Sequence, residues 1–326
     1  MTATILVTCG HLQRHIGLYR DEIRAHGFDV NVPPLTGQQF GADDMANFLR
    51  DADVAIAGDD ALGADVLEAG VSGRLRGLVR WGIGTDNVDK PTATRLGLPV
   101  FNTPGMFNHE VADLALGHLL NLSRHIHKMD RDVRQGKWTR FEGTSLNGKV
   151  SGIIGLGGIG REICRRVRAF GMQAIGCDVV TIPTSALEDV GATQVSFEDI
   201  LDQADVIFLA CALTAKNHHL LNATAFGRMK PGVLIINVAR GPIIDETALI
   251  AALDSGRVAA AGLDVFEVEP LPAGSLLRCF DNCLFGTHSG SSTAEAIHRT
   301  NRASVDIALA MLGVKPDHLL SCNRIA

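Results

Sequence analysis

Three ionisable side chains follow predicted strands. Arg240 ends "LIINVARG", Glu269 lies in "GLDVFEVEP", and His288 ends "CLFGTH". An imidazole among Gly, Ser and Thr in "GTHSGSST" can act as an acid or a base with room beside it for a substrate. The alternatives are a surface arginine, a solvated loop acid and a surface histidine. Because ligands bind outside the carboxyl ends of parallel strands, the three together predict an active site.

A glycine loop gives the second chemical signal. "VSGIIGLGGIGREICRRV" contains Gly155-x-Gly157-x-x-Gly160, after an apolar run and before an amphipathic helical pattern. Gly155 permits a tight turn, Gly157 lets the backbone approach a pyrophosphate, and Gly160 lets the helix pack on the strand. The helix N-terminus stabilises phosphate charge. The alternative is an ordinary strand-turn-helix in which the glycines occur by chance.

The end of the next strand predicts which dinucleotide binds. "MQAIGCD" ends in Asp178, and no Arg or Lys follows in "DVVTIPT". A carboxylate at this position accepts hydrogen bonds from both adenosine ribose hydroxyls and repels a 2′-phosphate. The sequence therefore predicts NAD and not NADP.

Apolar runs typical of buried strands alternate with helical patterns along the chain, which predicts parallel sheets covered by helices. The runs before residue 102 are "TILVT", "DVAIAG", "RGLVRWG" and "LPVFNT". The runs from residue 149 onward are "VSGIIGLG", "MQAIGCD", "ADVIFLA", "GVLIINVAR", "AAGLDVF" and "CLFGTH". Ser196 with Asp199 predicts a capping box, and Asp245 and Gly256 predict the start and end of a helix. One long helix is predicted from about residue 108 to residue 135.

The position of the glycine loop predicts how the domains are arranged. An α/β pattern of its own precedes the loop, and fewer than forty residues follow the last predicted strand. That tail is too short for a domain. We predict a cofactor domain at residues 102–289, inserted into a discontinuous first domain of residues 1–101 and 290–326.

Composition excludes several classes of protein. The formal net charge is −6 and no run of like charges occurs, so neither nucleic acid nor a membrane surface is a predicted partner. No apolar run reaches the ~18 residues of a membrane span. "MTATILVTCG" indicates a strand and not a signal peptide, which predicts a cytoplasmic protein.

No metal site is predicted. The seven cysteines are scattered, and Cys279 and Cys283 have no second pair with which to form a zinc site, so we interpret them as free thiols. Four histidines are interpreted as solvated or interface side chains and not as ligands: His125, His127, His218 and His219.

Several motifs in this order resemble those of the D-isomer-specific 2-hydroxyacid dehydrogenases: "GLGGIG", "NVARGPIIDETAL", "GLDVFEVEP" and "GTHSGSST". "RWGIGTDNVD" and "NTPGMFNHEVADLALG" extend the resemblance over roughly residues 75–300, most closely to phosphoglycerate-dehydrogenase-like members. It implies a Rossmann cofactor domain inserted in a flavodoxin-like substrate domain, with the active site in the cleft between these two doubly wound parallel sheets. It also implies reversible hydride transfer between NADH and a small 2-oxo acid, in a homodimer.

The resemblance further implies a role for each site residue. Arg240 would hold the substrate carboxylate and carbonyl oxygen, His288 would be the general acid/base, and Glu269 would orient the imidazole and favour its protonated form. Backbone N–H groups of three residues would bind the substrate carboxylate: Trp81, Gly82 and Ile83. The implied cofactor contacts are Gly155, Gly157, Gly158, Ile159, Gly160, Asp178, Asn237, Ala239, Asp264, His288 and Gly290.

The chain departs from the family pattern at three places. Thr287 and Ala212 stand where the family commonly has Pro, which affects loop rigidity more than chemistry. Asp59 and Asp60 lie in the loop where phosphoglycerate dehydrogenases carry basic residues for the substrate phosphate. Two carboxylates there would repel a phosphate and suit a neutral or hydroxylated tail; the alternative is that both face solvent.

Three other functions stay open. The chain could be a phosphoglycerate dehydrogenase proper, or an NAD-sensing binding protein like the family's corepressor relatives, which keep the triad. Oxidation of formate or phosphite on the same fold is the third, although formate dehydrogenases carry Gln where this chain has Glu269.

Overall fold

The structure is a computed structural model that describes residues 2–326. Met1 lies outside the described residues; it is the first residue of "MTATILVTCG", the segment in which the first strand is predicted. The chain divides into two compact units: residues up to 106 together with 293–326, and residues 107–292. These divisions lie five and three residues beyond the predicted boundaries at 101 and 289.

The first unit contains a five-stranded parallel sheet in the order β2-β1-β3-β4-β5. This is the flavodoxin-like order, and its switch point lies between β1 and β3. Strands β1, β3 and β4 are buried on both faces almost throughout, which explains their continuous apolar sequences. The strands are β1 (Thr4–Val7), β2 (Asp29–Asn31), β3 (Val54–Ala57), β4 (Gly77–Arg80) and β5 (Val100–Phe101).

Helices connect these strands and bury one apolar face each. In α3 the buried residues Met45 and Leu49 are four apart, as one face of a helix requires. Asp89 caps α5 by accepting a hydrogen bond from Thr92 N at 2.9 Å. The helices of this segment are α1 (Gly10–His15), α2 (Gly17–Ala25), α3 (Ala42–Arg50), α4 (Ala64–Ser72) and α5 (Lys90–Leu96).

The second unit contains a seven-stranded parallel sheet in the order β12-β11-β10-β9-β6-β7-β8. From β8 to β11 this is the Rossmann order, with the switch point between β6 and β9. The glycine loop follows β6, so it lies at that switch point. The strands are β6 (Val150–Ile154), β7 (Gln173–Cys177), β8 (Ala192–Gln194), β9 (Val206–Leu209), β10 (Val233–Asn237), β11 (Val258–Leu263) and β12 (Cys283–Phe285).

The helix signals of this unit are confirmed. Ser196 and Asp199 form a reciprocal capping box, and Asp245 caps α12 through Ala248 N. Gly256 follows the end of α12 with φ of 72°. The helices are α6 (Asn108–Arg124), α7 (Ile126–Arg134), α8 (Gly158–Ala169), α9 (Thr184–Val190), α10 (Phe197–Gln203), α11 (Ala223–Arg228) and α12 (Glu246–Asp254), with short 3₁₀ turns at Gly241–Ile243 and Leu276–Cys279.

The single long helix predicted for residues 108–135 is wrong, because the chain breaks between α6 and α7. His125 adopts a left-handed φ of 55° at the break. Its Nε2 lies 3.1 Å from Glu142 O. Asn121 Oδ1 accepts from His127 N at 2.9 Å. Side chains satisfy backbone groups at this point, so α6 ends at Arg124 and α7 begins at Ile126.

The returning segment completes the first unit. Helix α13 (Ala294–Met311) buries Val305, Ile307 and Leu309 in the core that contains β1. After α14 (His318–Asn323), the last residues pair with β5, since Ile325 N donates to Val100 O at 2.8 Å. None of the helices that the structure describes is long and apolar enough to cross a membrane.

Candidate active site

The glycine loop has the shape that a dinucleotide requires. Gly155 has φ of 100°, and a Cβ there would come within 2.7 Å of the Cys211 backbone. A Cβ on Gly160 would overlap the carbonyl oxygen of Gly155. Both positions are therefore closed to any side chain, and α8 packs directly on the turn.

Gly157 differs because it faces open space. No described atom lies within 4 Å of where its Cβ would stand. Gly158 and Ile159 then open α8, whose first N–H groups have no acceptor within the helix. The open space at Gly157, at the N-terminus of a twelve-residue helix, fits the pyrophosphate of a dinucleotide.

Asp178 follows β7 beside the same loop. Its Oδ2 accepts from Leu156 N at 2.8 Å and its Oδ1 accepts from Val180 N at 3.2 Å. These two bonds hold the carboxylate in place, and each oxygen keeps a second lone pair. The exposed residues that follow are Val179 and Val180, so no cation lies next in the chain to receive a 2′-phosphate.

The structure brings the three predicted chemical residues together at the ends of β10, β11 and β12. His288 Nδ1 lies 2.7 Å from Glu269 Oε2, and His288 Nε2 lies 3.5 Å from Arg240 Nη1. Glu269 Oε1 also accepts from Phe266 N at 2.9 Å. The Glu269 carboxylate can therefore accept a hydrogen bond from Nδ1–H, which leaves Nε2 to exchange protons beside the arginine.

The backbone around His288 is unusual and firmly braced. His288 has φ of 53°, a region that non-glycine residues rarely adopt. Its N–H donates to Asp264 O at 2.7 Å. The buried Asp264 carboxylate accepts from Ser289 N at 3.0 Å and from Gly290 N at 2.9 Å. Gly286 must stay glycine, because a Cβ there would overlap Asp264 Oδ1.

Asn237 braces Arg240 in the same way. Its side chain is fully buried. Its Nδ2 donates to Arg240 O at 3.0 Å and its Oδ1 accepts from Ala239 N at 3.0 Å. Asn237 and Asp264 thus use polar atoms to shape the loops, and direct contact of Asn237, Ala239 or Asp264 with a nicotinamide stays a prediction.

In the first unit, the loop after β4 has fewer available N–H groups than predicted. Trp81 N donates to Ala57 O at 2.8 Å, and Gly82 N donates to Thr103 Oγ1 at 2.7 Å. The N–H of Ile83 donates to no residue that the structure describes. Neighbouring strand ends therefore already accept from the Trp81 and Gly82 N–H groups, and binding of the substrate carboxylate by Trp81, Gly82 and Ile83 stays a prediction.

Two residues that the sequence interpretation missed hold this loop. Thr103 N donates to Gly82 O at 3.1 Å, and Asn102 Nδ2 donates to Ile83 O at 3.0 Å. Both follow β5, so the signal that singled out Arg240, a polar residue at a strand end, could also have found them.

The carboxylates of the two acidic residues after β3 both bind other groups of the protein. Asp60 is 1% exposed, and its carboxylate accepts from Thr8 Oγ1 at 2.6 Å, Phe40 N at 2.9 Å and Gly58 N at 2.9 Å. The prediction that Asp60 faces either the substrate or solvent is wrong, because it stabilises its own loop. Asp59 forms an ion pair with the buried guanidinium of Arg80.

Two of the histidines interpreted as solvated or interface side chains, His127 and His219, have hydrogen-bond partners in the protein. His219 Nε2 lies 2.6 Å from Glu267 Oε1, and ligand atoms of His219, Asp245 and Glu267 come within 4.8 Å of one another. Asp245 already caps α12. His127 Nδ1 lies 2.7 Å from Asn121 Oδ1. These contacts give His127, His219 and Asp245 structural roles, and the absence of a metal site stays a prediction.

The fold and the glycine loop together define an α/β protein with a dinucleotide-binding unit. Residues 116–290 match the family model described as D-isomer specific 2-hydroxyacid dehydrogenase, NAD binding domain. The hydroxypyruvate reductase of Thermotoga maritima is 37% identical over 286 residues, which are 86% of this chain and 91% of that protein. The chain therefore belongs to the D-isomer specific 2-hydroxyacid dehydrogenases, which are NAD-dependent oxidoreductases.

Two further similarities bear on the family. The D-3-phosphoglycerate dehydrogenase of Rattus norvegicus is 42% identical over 238 residues, covering 72% of this chain and 44% of that protein. The chain thus spans less than half the length of that relative. A solved glyoxylate reductase from Paecilomyes thermophila superposes with a TM-score of 0.86 at 28% identity, covering 99% of this chain and 98% of that one.

Proposed function

We propose that this chain reduces a small 2-oxo acid to its D-2-hydroxy acid with NADH. The observation that carries the proposal is the arrangement of His288, Glu269 and Arg240 at the strand ends beside the glycine loop. A titratable ring nitrogen, a carboxylate that orients the ring and a forked cation are the groups that carbonyl reduction needs.

The proposed mechanism assigns one task to each group. NADH held at the glycine loop and Asp178 would supply the hydride that C2 of the substrate receives. The Arg240 guanidinium holds the substrate carboxylate and polarises the carbonyl oxygen. His288 donates its Nε2 proton to that oxygen, while Glu269 stabilises the imidazolium through Nδ1. In the oxidative direction neutral Nε2 takes the hydroxyl proton.

The distal end of the substrate is proposed to be uncharged. The buried Arg80 is the cation nearest the loop after β4 in sequence, and Asp59 forms an ion pair with it. Because Asp59 already pairs with Arg80, this guanidinium is engaged and does not offer a binding site for a substrate phosphate. The similarity to a hydroxypyruvate reductase supports the same choice. We therefore propose hydroxypyruvate and glyoxylate as better substrates, by kcat/KM, than 3-phosphohydroxypyruvate.

The test is NADH oxidation by the purified protein with four acids: glyoxylate, pyruvate, hydroxypyruvate and 3-phosphohydroxypyruvate. We expect hydroxypyruvate to show a higher kcat/KM than its 3-phosphate. A higher value for the phosphate would make the protein a phosphoglycerate dehydrogenase. NADH binding without turnover of any acid would favour the NAD-sensing alternative.

A homodimer in the cytoplasm is part of this proposal. Helix α7 and the segment after it expose Ile126, Val133 and Trp138, the last of them 81% exposed. We infer that these exposed apolar side chains belong to the dimer interface. The six cysteines whose side chains the structure describes are free thiols, which suits a reducing compartment. Sedimentation velocity on the purified chain should give the mass of two copies.

A further inference from the structure

The glycine loop of the second unit contains one glycine that its motif does not require. The G-x-G-x-x-G pattern leaves the position of Gly158 free to carry a side chain. The structure leaves no room for one, because a Cβ on Gly158 would lie 2.4 Å from Nδ2, 2.7 Å from Cγ and 2.9 Å from Oδ1 of Asn108. The Asn108 carboxamide therefore occupies the volume that a side chain of the loop would otherwise take.

Contacts between α6 and α8 hold Asn108 in this place. Asn108 is the first residue of α6, which packs against α8 within the same unit. One residue further on, His109 Nδ1 lies 3.1 Å from Glu162 Oε2. Asp113 Oδ1 then accepts from Arg166 Nε at 2.6 Å. These two contacts join the first half of α6 to α8, so they fix Asn108 relative to the glycine loop.

The Asn108 carboxamide has unused hydrogen-bonding capacity. It forms no hydrogen bond with the residues that the structure describes, and its Nδ2 carries two N–H donors. The first N–H groups of α8 likewise have no acceptor within their helix. An anion bound at the N-terminus of α8 therefore meets backbone donors and a side-chain donor together.

We propose that Asn108 is a cofactor-binding residue, whose Nδ2–H donates to the pyrophosphate of NAD at the N-terminus of α8. The proposal rests on the cofactor site of the proposed function and adds to it a residue from another helix. It also gives Gly158 a purpose, since a side chain there would push the carboxamide away from the loop. The acceptor is ionised, so this hydrogen bond is stronger than one between neutral groups.

The experiment measures the dissociation constants of NADH, by fluorescence titration, and of ADP, by displacement of NADH. Asn108→Ala removes the donor and should weaken the binding of both by about tenfold, the worth of a hydrogen bond to a charged group. Asn108→Asp keeps the shape and replaces the donor with a negative charge, so it should bind both more weakly still. If Asn108 only filled the space beside Gly158, the Asp variant would bind better than the Ala variant.

Asn147→Ala is the matched control. The Asn147 side chain is exposed and also lies against a glycine, since its Oδ1 is 2.3 Å from where a Cβ on Gly171 would stand. Asn147 precedes β6, whereas the glycine loop follows that strand. The control should therefore leave both dissociation constants unchanged.

Gly158→Ala tests the same contact from the other side. Its methyl group should displace the carboxamide and weaken NADH binding in the unmodified background, but should cause no further loss in Asn108→Ala. Additive losses would overturn the pairing of Gly158 with Asn108. Unchanged dissociation constants in a folded Asn108→Ala variant, or tighter binding by Asn108→Asp than by Asn108→Ala, would overturn the hydrogen bond.

Failure of the proposed function would give a different result. Turnover of no 2-oxo acid by the unmodified protein would contradict that function and leave this test intact, because binding of NADH and ADP needs no turnover.

Discussion

At the scale of single residues, the acid/base chemistry depends on how His288 is held. Its left-handed backbone is costly, by about 1–3 kcal/mol for such a residue. The N–H bond to Asp264 O and the Nδ1 contact with Glu269 offset this cost and aim Nε2 at Arg240. Backbone strain of this kind is typical of functional sites.

Asp178 gives the first prediction at this scale. The unmodified protein should use NADH with a higher kcat/KM than NADPH, because the carboxylate repels a 2′-phosphate. Asp178→Asn keeps an oxygen that can accept from Leu156 N and removes the negative charge. This variant should therefore reduce the difference between kcat/KM with NADH and kcat/KM with NADPH. Steady-state kinetics with both cofactors measures this. Equal or better use of NADPH by the unmodified protein would show that Asp178 does not select the cofactor.

At the scale of elements, two glycines of one loop should respond differently to the same change. Gly157→Ala adds a methyl group to open space, so the free energy of unfolding should change by no more than about 0.5 kcal/mol. The same methyl group should displace the pyrophosphate, so NADH should bind at least tenfold more weakly. Gly160→Ala places its methyl group on the Gly155 carbonyl, so it should unfold at lower denaturant. Urea unfolding and NADH fluorescence titration separate the two effects. Equal loss of stability in both variants would contradict this account of the loop.

Helix α6 contains a buried histidine whose presence costs stability. His118 is 4% exposed, and neither ring nitrogen has a hydrogen-bond partner among the described residues. Burial lowers the pKa of His118, and Asp264 opposes the shift. The folded state therefore disfavours a proton that the unfolded chain takes up as pH falls through 6.5. The free energy of unfolding should therefore be highest above pH 6.5 and should decline as the pH falls below it.

His118→Met should raise the free energy of unfolding by about 1–3 kcal/mol near neutral pH, because it removes unpaired buried nitrogens. The increase in the free energy of unfolding should be larger near pH 5.5, because there the unmodified protein is also destabilised by proton uptake at His118 in the unfolded chain. Urea unfolding at both pH values measures it, with exposed His26→Met as the control. A gain that does not grow as pH falls would show that His118 is not the titrating group.

At the scale of the whole molecule, buried strands could be predicted and exposed ones could not. Strands such as β3 and β9 are apolar on both faces, so their sequences identify them. Strands β2 and β8 are three-residue edge strands without a buried residue, so no apolar run marks them. The fold class is confirmed because the central strands set the topology.

The site was predictable where strand ends supply the chemistry and unpredictable where distant partners decide it. The pattern of polar strand ends identified Arg240 and His288. Nothing in the sequence near Gly82 shows that Thr103 accepts its N–H group. Likewise the burial of Asp60 depends on Thr8, fifty-two residues away. Such long-range hydrogen bonds follow from the fold and not from local pattern.

The central claim, that His288 supplies the proton in an NADH-dependent reduction, is tested most directly by one pair of measurements on His288→Asn. These are kcat with hydroxypyruvate and the dissociation constant for NADH. We predict that kcat falls about 10²–10⁴-fold, the usual worth of general acid catalysis, while NADH binds as tightly as before. A near-normal kcat would show that His288 does not supply the proton. Loss of NADH binding would show that His288 instead supports the structure of the cofactor site.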